Sequence, residues 1–114
     1  MNMPEQAVQI RIYLGETDRY DGRPLYEQIV LKARELHLAG ATVLRGPLGY
    51  GRSSRLHTAK ILRLSEDLPL VIEIVDSEEK IEGFLRELDG MMGSGLVIME
   101  RVRVIHYGEN SRTE

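Results

Sequence analysis

The sequence predicts an α+β domain of the ferredoxin-like βαββαβ plan: a four-stranded antiparallel sheet with two helices on one face. Three observations predict it. Val8, Ile10, Ile12 and Leu14 alternate with Gln9, Arg11 and Tyr13, which is the period of a strand with one buried face. Two later stretches, from Pro24 and from Asp76, carry apolar residues at spacings of three and four and so read as amphipathic helices. Each helix stands between two strand-like runs, and a long loop divides the halves. Two β-α-β units with right-handed crossovers interleave into one sheet.

The elements follow in order. Gly15 to Arg23 is polar and turn-rich and reads as a loop. Pro24 suits the first helical position, where no amide donor is needed. Leu25, Ile29, Ala33 and Leu36 then mark a buried helix face, with Gly40 expected as a left-handed C-cap. Thr42-Val43-Leu44 is a short strand by composition. Leu68 to Val75 is the next, with Pro69 at its start, where a ladder donor can be spared. Asp76 is expected to cap the second helix, with Glu79 completing a capping-box pair. Ile81, Phe84, Leu85, Leu88 and Met92 form its buried face, and Gly90 and Gly93 end it. Leu96 to Tyr107 is the last strand. Its alternation puts Glu100 in phase with Leu96, Ile98, Val102 and Val104, which demands either a bulge or a polar partner for that carboxylate.

Leu70 to Val75 is apolar on both faces, with Val71 and Val75 opposite Leu70, Ile72 and Ile74. Val97, Met99 and Ile105 are expected to add to the second face. A naked apolar sheet face is a liability in a monomer, and another copy of the chain is the simplest cover.

The chain has 114 residues, the size of one domain, so residues 1–114 are read as a single unit with a long central loop at 46–67. There is no Cys, which excludes disulfides and thiolate metal sites. The start MNMPEQAVQ lacks the basic and apolar regions of a signal peptide, and no apolar run reaches the ~18 residues of a membrane span. The expected location is cytoplasmic. A net charge of −3 gives no global attraction to nucleic acid, so none is expected as a partner.

Charge is unevenly placed. Between Glu35 and Glu66 there is no acidic residue, while Arg45, Arg52, Arg55, Lys60 and Arg63 fall there with His37 and His57. The same segment contains Gly46-Pro47-Leu48-Gly49-Tyr50-Gly51, a glycine density that marks the mouth of a loop. Arg grips phosphate or carboxylate bidentately, and glycines let backbone amides approach the same anion. This is the candidate ligand site: Arg45, Gly46, Gly49, Gly51, Arg52, Arg55 and His57. Residues 51–65 are expected to be mobile and to order on ligand or partner. Neither GPLGYG nor GMMGSG at Gly90 to Gly95 has the order or context of a dinucleotide fingerprint, and no P-loop occurs. The three His are widely spaced, so no metal site is expected. No residue has the context of a catalytic nucleophile, and no catalytic residue is assigned.

The segments IRIYLGETD, PLYEQIV, LAGATVLRGPLGYG, LHTAKILRLSEDLPLVIEIVD and EKIEGFL resemble the short PII-like proteins grouped as a domain of unknown function, relatives of the PII nitrogen-regulatory signalling proteins. The likeness runs from about Val8 to Tyr107. It implies a homotrimer whose long loop, the T-loop of PII, contacts a target. It also implies an adenine nucleotide in the inter-subunit cleft, against the loop's base and the glycine turn before the last strand. Those places correspond to Arg45 to Gly51 and to Gly93-Ser94-Gly95. Two departures bear on the ligand. PII proteins follow the glycine turn with a phosphate-binding Lys, where Leu96 stands here. They carry two Arg before a final TGE, where Val104 and His106 fall in VIHYGE; Gly93, Ser94, Gly95 and His106 stand as the candidate ligand residues on this side of the cleft. The triphosphate grip of PII is therefore largely missing, which leaves a different or smaller anion on Arg45, Arg52 or Arg55 as the other expectation. Two function classes follow. One is a non-enzymatic regulator that binds an anion and docks on a partner such as a membrane transporter or channel. The other is a small enzyme or metal-handling protein on the same trimeric fold. The lack of Cys, paired His and clustered catalytic carboxylates favours the first.

Overall fold

The computed structural model describes residues 3–47, 49 and 68–108. Its elements are β1 (Gln6–Gly15), β2 (Arg19–Tyr20), β3 (Arg23–Pro24), α1 (Leu25–Glu35), β4 (Thr42–Arg45), β5 (Pro69–Asp76), α2 (Glu78–Asp89) and β6 (Leu96–Arg103). Four strands form one antiparallel sheet in the order β4-β5-β1-β6, the ferredoxin-like arrangement expected. The core lies between one sheet face and both helices. Val8, Ile10, Ile12 and Leu14 of β1 and Leu70, Ile72 and Ile74 of β5 meet Leu25, Ile29 and Ala33 of α1 and Ile81, Phe84 and Leu88 of α2.

Several local expectations are corrected. The segment before α1 holds a small hairpin, β2 to β3, turning on Asp21 and Gly22 at φ 55° and 77°. Asp-Gly with both residues at positive φ gives the twist a two-residue hairpin needs. Pro24 is the N-cap, one residue before the first helical position. Gly40 is not the C-cap of α1. Leu36 is, and His37 takes the left-handed conformation at φ 62°. Leu38 donates its N–H to the Ala33 carbonyl at 3.0 Å and His37 donates to that of Arg34 at 3.0 Å, the paired bonds of a Schellman motif. Leu38 and Ala33 both enter the core, and that burial fixes the turn three residues before the glycine.

Asp76 does not cap α2. It is the last residue of β5, only 1% exposed, and accepts from the backbone N–H groups of Ala39 (2.8 Å) and Ser77 (2.7 Å). Ser77 is the cap, its Oγ accepting from the N–H of Lys80 at 3.2 Å. Strand β6 ends at Arg103, short of Tyr107. Its register with β1 runs without a bulge and pairs Ile12 with Val97 and Ile10 with Met99. Directly paired residues share a sheet face, so Val97 and Met99 lie on the helix side. The second face instead receives Leu96 and Ile98. The Glu100 carboxylate has a polar partner: Arg11 Nη1 donates to its Oε1 at 3.0 Å.

Candidate functional site

The antiparallel register brings four strand ends to one end of the sheet. Gly15 lies opposite Pro69, Arg45 opposite Leu70, and Tyr13 opposite Leu96. The chain leaves the sheet at Gly46 and returns at Leu68, and three interactions fasten these two points. The Gly46 N–H donates to the Pro69 carbonyl at 2.8 Å, extending the β4–β5 ladder. The Glu16 N–H donates to the Leu68 carbonyl at 2.9 Å. The Glu16 carboxylate accepts from Arg45 Nη2 at 2.5 Å, with Glu16 25% and Arg45 56% exposed. Gly49 lies against the Pro69 ring, where a Cβ would come within 3.1 Å. Glu16 is itself placed by a tight turn, since the Asp18 carboxylate accepts from the Gly15 N–H at 3.0 Å.

Arg45, Gly46 and Gly49 thus lie where the chain leaves the sheet after β4. Arg45 is already in an ion pair. Glu16, its partner, was not singled out as a site residue. The signal was there in the acidic residues immediately after β1, at the same sheet end as the basic loop. Gly51, Arg52, Arg55 and His57 lie outside the described residues, as does the expected mobility of residues 51–65.

The second glycine turn reaches the same end from the other edge. Gly95 has φ 118°, and a Cβ there would stand 2.7 Å from the Tyr13 carbonyl oxygen and 2.6 Å from Met92 Cε. Only glycine fits this entry into β6. Ser94 beside it is exposed. β4 and β6 are opposite edges of the sheet, three strand spacings or about 14 Å apart. One protomer therefore does not bring Arg45 and Gly95 together. His106 is farther still. It follows the C-terminal end of β6, where Arg103 pairs with Gln6, about 25 Å of strand away from Leu96.

The sheet face away from the helices is ordered in rows. Leu44, Val71, Tyr13 and Leu96 make an apolar row across all four strands nearest the loop. The next row is Thr42, Glu73, Arg11 and Ile98. Arg11 Nε donates to Glu73 at 3.2 Å and its Nη1 reaches Glu100, so one cation ties three strands. These bonds, to Glu73 first and then Glu100, raise the Arg11 pKa further above its ordinary value. Leu44, Leu96 and Ile98 are exposed here. Among the described residues no three His, Asp or Glu side chains gather as metal ligands, and no helix is long and apolar enough to cross a membrane.

Comparison with known proteins gives a consistent set. A family model described as DUF190, uncharacterized ACR, matches residues 7–104. A UPF0166 protein of Aquifex aeolicus (strain VF5) is 40% identical over 97 residues, covering 85% of this chain and 91% of that protein. A UPF0166 protein of Methanocaldococcus jannaschii is 37% identical over 95 residues, covering 82% and 87%. The fold is shared with a crystal structure from Thermus thermophilus described as PII-like (TM-score 0.63, 18% identity, 88% of this chain and 90% of that one). It is also shared with B. subtilis GlnK (TM-score 0.52, 14% identity, 85% of each chain).

Proposed function

The chain belongs to the DUF190 family, and on that premise we propose that it is a non-enzymatic, cytoplasmic PII-like regulator. It binds a small anion, an adenine nucleotide or a lesser phosphate, in clefts between the subunits of a homotrimer. It docks on a partner through the loop at 46–67, and a membrane transporter or channel is the partner class that suits it. The observation that carries the reading is the placement of Arg45-Gly46 and of the glycine turn before β6. Arg45-Gly46 and Gly93 to Gly95 sit at one end of the sheet but on opposite edges. Neighbouring copies set side by side would complete the cleft between them. The turn at Gly93 to Gly95 would offer amides to an anion and Arg45 a fixed cation, the Gly46 N–H being held by the Pro69 carbonyl. His106 at the far end would contribute only from a differently placed copy.

Titration calorimetry with ATP, ADP, AMP and inorganic phosphate tests the ligand, with light scattering on the same samples for the trimer. The expected result is saturable binding, one site per chain, in a three-chain particle. A monomer, or a trimer that binds none of these anions, overturns it. A charge-assisted contact contributes about 1.5–3 kcal/mol, so Arg45→Ala is expected to weaken binding roughly ten- to a hundredfold.

A further inference from the structure

Arg45 is the described cation nearest the loop's mouth, yet it is paired with Glu16 at 2.5 Å. We propose that Glu16 is an internal competitor for Arg45, a gate that passes phosphate-type polyanions and turns away simple carboxylates. The proposal rests on the reading of Arg45 as part of an anion site, and deepens it by naming what selects the ligand.

Glu16 is held for this role by its own backbone. It follows directly on β1, and its N–H is bonded to the Leu68 carbonyl at 2.9 Å, so the residue is fixed to the point where the loop returns. Arg45 ends β4 at the point where the loop departs. The ion pair therefore spans the two roots of the loop. Arg45 has no other ionic partner among the described residues, and neither has Glu16.

A tethered carboxylate competes at an effective concentration on the order of millimolar. Each carboxylate of an incoming mono- or dicarboxylate offers Arg45 the same chemistry and, below that concentration, loses to Glu16. Carboxylate and phosphate groups can both engage the guanidinium fork bidentately, but a phosphate or pyrophosphate group brings more charge and more acceptor oxygens. It wins where a carboxylate does not. An exposed ion pair is individually weak, so the gate is a filter and not a lock. Once displaced, the Glu16 carboxylate lies beside a polyanion and is repelled from it. Occupancy at Arg45 is thereby felt at Leu68, the other root of the loop.

The test is titration calorimetry with ATP, inorganic pyrophosphate and succinate on the full-length protein, using the unmutated chain, Glu16→Gln, Glu16→Asp, Arg45→Ala and the Glu16→Gln/Arg45→Ala pair. Glu16→Gln is expected to tighten pyrophosphate and ATP about three- to tenfold and to admit succinate, with Glu16→Asp between it and the unmutated chain. In the Arg45→Ala background the Glu16→Gln gain should vanish. Binding of ATP or pyrophosphate only after Glu16→Gln overturns the gate as a selective one, since Glu16 would then turn polyanions away as well. Anion binding by the unmutated chain that Glu16→Gln leaves unchanged or weaker, or a gain that persists without Arg45, overturns the gate alone. Failure of the unmutated chain and of Glu16→Gln to bind any of the three overturns the anion-site reading together with it.

Discussion

Asp76 and Gly95 are the two residues whose structural roles differ most from their appearance in the sequence. Asp76 stands before a helix and reads as a cap, but its side chain is buried and joins the end of β5 to the segment after α1 through Ala39. The sequence distance from Ala39 to Asp76 hides that contact, because only the folded sheet makes them neighbours. Asp76→Ala leaves two backbone N–H groups without a partner, and an expected loss of about 3 kcal/mol follows from two charge-assisted bonds. Urea unfolding checks it; a loss below about 1 kcal/mol would mean that water replaces the carboxylate. Gly95 is one of several glycines in GMMGSG, and composition does not separate them. The backbone does. A methyl group at Gly95 collides with the Tyr13 carbonyl, while at Gly93 it meets nothing within 4 Å. Gly95→Ala is expected to cost about 2 kcal/mol or more by thermal unfolding, and Gly93→Ala to stay within about 0.5 kcal/mol.

Among elements, those with a long clear period were legible and their ends were not. The alternation in β1 and the helical spacing in α1 and α2 correspond to the buried residues of each. The end of α1 was misplaced because a glycine stood nearby, whereas burial of Leu38 decides where the chain turns. His37 occupies the left-handed site at an energetic cost that a glycine would not bear. The Lys80 ammonium donates to the His37 carbonyl at 2.6 Å, a bond that does not depend on the His side chain. His37→Gly is therefore expected to stabilise the protein by about 0.5–1 kcal/mol, raising the melting temperature by a few degrees at fixed protein concentration. An unchanged or lower melting temperature would show that the imidazole itself contributes. In β6 the apolar run Leu96 to Met99 carries no alternation, so its face assignment came out inverted at Val97 and Met99. Only the pairing with β1 sets the phase.

For the molecule as a whole, the order of elements and an uncovered sheet face were readable. The sequence points to Arg45 and Gly46 as the place where the chain leaves the sheet, but it does not show the contacts made there. Glu16 and Arg45 are far apart in sequence and meet only because β1 and β4 both flank β5. The open face presents an apolar row beside a charged one, and the proposed trimer would bury both. Val71 lies in the apolar row, and Val71→Asp would place a charge with no partner there, so dissociation or unfolding is expected by light scattering. Arg11 gives a finer test, since it neutralises Glu73 and Glu100 across three strands. Replacing it with Met keeps an apolar stem but leaves two carboxylates on each copy facing those of its neighbours. Arg11→Met is therefore expected to shift the particle toward monomer at low ionic strength. High salt should restore it in part, because the repulsion is between like charges. Adding Glu73→Gln and Glu100→Gln to Arg11→Met removes the repulsion and should restore the assembly at every salt concentration. If the triple variant stays monomeric while remaining folded by circular dichroism, the ladder acts through its ion pairs and not through charge balance. If Arg11→Met remains a full trimer at low salt, the charged row does not lie in the interface.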